Sequence, residues 1–409
     1  MIKPALQHRV ATIAILLAAS LLGACSSDGD GSLNTPFTAD DQAVVVATIA
    51  ADYSSGAHAL FDASAPFDGA DEYAPGGSDV VVAARGSNFY RIERFLADHI
   101  TKFDVNAPGT PIWQVSVLDP GETNANPQGL VFASESKAYL PRLASANVWV
   151  VDPSTRLPAG FKTGSLDLSA YDDGDGTPEP AGGVVVDDKL FLMLQRLDRT
   201  ASPWDPQTAY LAVFDVATGA EIDTGVGGAF KGVPLQVRNP QSISYDADSG
   251  MIYVVASGRY AAFSGSTPTE YTGGIEAIDP DDYSTDLILD DGDATTHPIG
   301  QFTHMAIVSA SKGYVVGYAG WQNNGLYEFN PITGTLLSDA SGNPLPVAGI
   351  SGVEIAAIGL DGEDKLWVSL PDSSEPGLRV IDSDDNSVVK QRVATTLNPG
   401  NIAFVDAPD

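Results

Sequence analysis

Seven times along the chain a short apolar run closes in Asp or Asn. The runs are HALFD at Asp62, ITKFD at Asp104, VWVVD at Asp152, LAVFD at Asp215, IEAID at Asp279, LYEFN at Asn330 and LRVID at Asp382. Successive acids lie 42 to 64 residues apart, the period of a propeller blade once loop insertions are allowed. Each acid has a local task, because an Asx side chain accepts backbone N–H bonds in the turn to the next strand. A unit of this kind cannot bury its faces alone and must pack against its neighbours.

The other strands fall around these runs. GLVFAS (129–134), KAYLPR (137–142), VWVVD (148–152) and the TGSLDLS region (163–169) read as four antiparallel strands, and SISYDADSGMIYVVASG followed by GGIEAIDP repeats the order. Asn-Pro introduces the first strand at Asn126-Pro127, Asn239-Pro240 and Asn398-Pro399. After the last of these, NIAFVD (401–406) is a first strand with no second or third to follow. Its partners stand at the other end of the chain, in QAVVVATIA (42–50) and AHALFD (57–62). The expectation is an all-β, seven-bladed β-propeller over 42–409, closed by pairing N- and C-terminal strands so that no free sheet edge remains in the ring.

NPQGLVFASESKAYLPRLASANVWVVDPST resembles the YVTN β-propeller repeat, and the likeness extends over roughly 42–407. The third repeat departs from it, with AGGVVVDD (181–188) and no Asn-Pro. The resemblance implies a binding scaffold, an extracellular receptor or, in related forms, a lactonase, and fold alone does not choose among them.

The N-terminus adds a location. Lys3 and Arg9 precede an apolar run at 10–22, too short for a comfortable membrane span, and Leu22-Gly23-Ala24-Cys25 resembles the bacterial lipobox. The resemblance implies a signal peptide at 1–24, lipidation of Cys25 and a flexible acidic linker over 25–41, with the acyl chains as the membrane anchor. Ser26 after the cysteine favours the outer membrane, facing the cell surface or else the periplasm. Cys25 is the sole cysteine, so disulfides within the chain are excluded. The net charge of -32, from 53 acidic and 21 basic residues, excludes nucleic acid as a partner.

Loops entering the first strand and loops between the second and third strands share one end of a propeller. There the second strand of four successive repeats ends in arginine, at Arg94, Arg142, Arg196 and Arg259, with Arg238, His304 and Trp321 on the same end. Convergent guanidiniums suit a small anionic ligand. An architectural reading stands beside it, with each arginine reaching an acid or carbonyl of the next blade. Enlarged loops at 196–209 and 258–272 carry Trp204, Tyr260, Phe263 and Tyr271, which suit an aromatic ligand or an outer-membrane protein partner, or pin the loops to the scaffold. Two acidic loops, Asp172-Asp173-Gly174-Asp175 and Asp290-Asp291-Gly292-Asp293, carry the ligand chemistry of calcium without the EF-hand spacing, and equally suit solvated turns.

No HExxH, GxSxG or P-loop motif occurs, and there is no CxxCH. The expected function is binding through the loop-rich face. The alternatives are a metal-dependent, lactonase-like hydrolase assembled from Glu354, Asn239, Asn398 and His304, and a structural envelope role.

Overall fold

The structure is a computed structural model that describes residues 42–201, 204–259 and 269–406. The Cys25 region and Tyr260 therefore lie outside the described residues. Seven sheets, each of four or five strands, form the seven blades. Blade 1 is sewn from both ends of the chain: Asn398–Asp406 pairs antiparallel with Gln42–Ile49, setting Val44 opposite Phe404, and Gly56–Asp62 and Gly69–Gly76 follow outward. The expected closure is the one observed.

Blade 2 contains Val80–Arg85, Asn88–Glu93, His99–Asp104 and Trp113–Ser116. Blade 3 contains Val131–Ser134, Lys137–Leu140, Asn147–Val151 and Lys162–Asp167. Blades 4 to 7 begin at Pro180–Val186, Pro240–Asp246, Gln301–Ser309 and Ala357–Leu360. Adjacent first strands touch around most of the ring, which makes them the innermost layer.

The core is not one mass but seven clusters among the described residues, one at each interface between blades. Alternation along each strand distributes side chains between the two interfaces. In blade 1, Val45 packs toward blade 2 with Phe89 and Phe103, while Val44 and Val46 pack toward blade 7 with Trp367 and Val380. Burial on both faces is why these strands read as unbroken apolar runs.

The repeated acid does the expected work in all seven blades. The Asp62, Asp104 and Asp152 carboxylates accept the N–H of Ser64, Asn106 and Ser154, each at 2.9 Å. Asp215 accepts from Thr218 at 2.7 Å, Asp279 from Asp281 at 2.8 Å, Asn330 from Ile332 at 2.9 Å and Asp382 from Asp384 at 2.8 Å. The Asn-Pro-Gln step also has a physical basis. Asn126 and Asn239 sit at left-handed φ of 50° and 55°, and the Gln two residues on donates to both the backbone and side-chain oxygens of each asparagine. In blade 4 the same left-handed place, φ 47°, is held by Glu179 before Pro180, so the position is kept while the residue changes.

Candidate functional site

Because the strands alternate in direction, the connections into each first strand and those between second and third strands emerge at one end, here called the upper face. The arginines of that face end on protein partners. Arg142 is fully buried, its Nη1 donating to the Val117 carbonyl (3.1 Å) and Glu122 (2.5 Å), its Nη2 to Asp119 (3.1 Å) and Ser145 (2.9 Å), and its Nε to the Asn147 carbonyl (3.1 Å). The guanidinium also lies 4.9 Å from the Trp149 ring. Arg196 donates to the carbonyls of Tyr171 and Thr208, each at 2.9 Å, and packs over Phe230 at 4.9 Å.

Arg259 pairs with Glu270 at 2.6 Å and with Asp205. Arg94 pairs with Asp79 at 2.6 Å, and Arg238 donates to the Pro206 carbonyl at 3.1 Å. Arg142 spends its Nε and both terminal nitrogens on protein partners, whereas the Arg196 Nη2 carries no hydrogen bond among the described residues. Sequence reasoning did not find their acidic partners, Asp119 and Glu122, or Arg199 described below.

His304 lies on the inner strand of blade 6, its Nδ1 3.1 Å from the Thr303 hydroxyl, and burial lowers its pKa to about 4. Glu354 accepts the Gln322 N–H at 2.9 Å. The Asn239 Nδ2 donates to the Ser257 hydroxyl and the Gly258 carbonyl, and its Oδ1 accepts from Gln241.

The acidic loops differ in what their carboxylates meet. Asp172, Asp173 and Asp175 each bring a ligand oxygen within 4.8 Å of the others. Asp172 also accepts the N–H of Gly174 and Gly176, and Asp175 pairs with Arg199 at 3.0 Å, as does Glu179 at 3.1 Å. Both oxygens of Asp173 are buried without a hydrogen bond, and burial first, then Asp175, raises its pKa. In the second loop Asp290 and Asp293 cap backbone N–H groups, while Asp291 is 1% exposed with neither oxygen hydrogen-bonded. Burial, and secondarily Asp290, raises the Asp291 pKa to about 7.

The folded state thus favours protonated Asp291. Its stabilising contribution is present below the ordinary value of 3.8 and is lost as pH rises toward 7. Asp291→Asn is expected to raise the Tm at pH 8 in chelator, by a stability on the order of 1 kcal/mol, and to leave it unchanged at pH 4. Thermal unfolding at the two pH values checks this.

The upper face also carries exposed aromatic side chains and one leucine. Tyr53 in blade 1, Phe95 and Leu96 in blade 2, Trp204 in blade 4 and Trp321 in blade 6 all sit between second and third strands and are between 42% and 69% exposed. Tyr245, the other exposed aromatic among the described residues, ends its strand toward the lower face.

No protein-family model and no curated protein matches this chain. Solved structures do. A protein of Lactobacillus plantarum matches at a TM-score of 0.58 and 12% identity, over 89% of this chain and 99% of that one. A candidate 6-phosphogluconolactonase of Bacteroides fragilis matches at 0.56 and 13%, over 92% and 100%. Apo AztD of Citrobacter koseri matches at 0.53 and 14%, over 90% and 99%. The likeness is one of fold. Each neighbour spans nearly its full length on this chain, which supports the seven-bladed propeller and assigns no activity.

Proposed function

We propose that this protein is a lipid-anchored envelope propeller, held at the outer membrane through Cys25, that docks a protein partner on its upper face. One observation carries the docking reading: four of the five exposed aromatics among the described residues emerge there, from four different blades. Rings that are amphipathic and have few rotamers make contact area at low entropic cost, and they are the side chains that dominate protein interfaces. The arginines support the face from within by fixing its loops. Replacing Phe95 and Trp321 together with serine should abolish partner capture and leave the Tm in place. Replacing Leu157 and Ile332, exposed on turns of the opposite face, should leave capture intact.

A divalent cation fits the first acidic loop in part. Asp173 offers two unbonded oxygens and Asp172 lies beside it, while Arg199 neutralises Asp175. Calcium there would relieve the buried, unpaired Asp173 charge. The expected result is a calcium-dependent rise in Tm that Asp173→Asn removes. If no cation binds, Asp173→Asn instead stabilises the protein at pH 8 with or without chelator, and differential scanning calorimetry separates the two.

A further inference from the structure

On the lower face a cleft of about 580 Å³ opens between blades 2 and 3. That volume is in the range of small-molecule sites. Its walls are the turns that the repeated acids build, after Asp104 in blade 2 and after Asp152 in blade 3, together with the Arg85–Asn88 connection. Asp152 organises the turn carrying Ser154 and Thr155, whose polar groups line the cleft with Ser87 and Asn88.

The charges in this cleft run against the rest of the molecule. Lys102 is only 6% exposed, yet its ammonium makes no ion pair among the described residues. Its single hydrogen bond there is Nζ to the Pro153 carbonyl at 2.7 Å, with the Tyr90 ring 5.7 Å away. A buried ammonium ordinarily has a carboxylate partner. Two of its three N–H groups are left for something else. Arg156 lines the same cleft, is exposed, and has no hydrogen bond or ion pair among the described residues. Burial lowers the Lys102 pKa; Arg156 adds to the depression, while Asp152 opposes it. An incoming anion would therefore relieve both cations.

We propose that this cleft binds a small oxyanion, a carboxylate or a phosphate, held by Lys102 and Arg156. Arg85 is less available, since it pairs with Glu135 at 2.8 Å. Asp104 and Glu135 also line the cleft and would repel a polyanion, so the expected ligand carries one charged head rather than several. A planar guanidinium beside an ammonium gives bidentate recognition together with a point charge. This site is independent of the docking face, which opens at the other end of the propeller.

The test is titration of the full chain with inorganic phosphate and, separately, with acetate, read by the amide resonances of Asn88, Ser154 and Thr155. Saturable shifts are expected with at least one anion, and the anion that produces them identifies the head group. Arg156→Gln should weaken the apparent Kd about tenfold without moving the Tm, because the side chain is exposed and unbonded. Lys102→Met should weaken it further. No saturable shift with either anion, or unchanged affinity in Arg156→Gln, would overturn the proposal, whatever Lys102→Met does to folding.

Discussion

Replacing Arg142 with methionine should destabilise the propeller by about 3 kcal/mol, at the lower end of what removing one partner of a buried charge pair costs. The side chain is fully buried, and its donors serve two backbone carbonyls, Ser145 and two carboxylates. Methionine keeps most of the packing against Trp149 but leaves the Val117 and Asn147 carbonyls unmatched. The cost stays at the lower end because Asp119 and Glu122 are about a quarter exposed and Asp119 keeps Lys162. Arg94 is the contrasting case. It pairs with Asp79 on the surface, and Arg94→Gln should cost no more than about 0.5 kcal/mol. Urea denaturation at constant m separates the two. A loss below about 1 kcal/mol for Arg142→Met would mean that its network does not hold the loop.

Removing residues 398–409 should abolish cooperative unfolding altogether. Asn398–Asp406 is the innermost strand of blade 1 and the only one contributed from the C-terminal end. Without it the inner edge of Gln42–Ile49 loses its partner, and Val405 leaves the interface with blade 2. The open ring then exposes a strand edge and two half-covered interfaces, a template for self-association. The truncated chain should elute as soluble aggregate and lose its near-ultraviolet dichroism, whereas adding the missing strand as a peptide should restore part of both. A monomeric truncation with an unchanged Tm would contradict closure by this strand.

The fold was legible because its signals are local. An apolar run ending in Asp reports a strand buried on both faces and an Asx turn, and both facts depend on residues only a few positions apart, as at Asp152 and Ser154. Closure was legible from a count, since a lone first strand needs partners. The site was less legible. The arginines after the second strands were visible, but their use depends on Asp119, Glu122 and Asp205, which stand in separate connections whose course no spacing rule sets. Glu179 accounts for the repeat that lacks Asn-Pro, since the backbone there requires only a left-handed residue before proline. Lys102 was hidden more completely. Inside ITKFD no spacing singles it out, and only the packing of a strand buried on both faces makes it a buried lysine that lines the lower cleft.

The docking claim can be tested in the host's own envelope with a photoreactive side chain placed at Phe95 or Trp321 and, as controls, at Leu157 or Ile332. The account predicts one cross-linked product common to positions 95 and 321 and absent from 157 and 332. No product at the upper face, or the same yield from both faces, would contradict it.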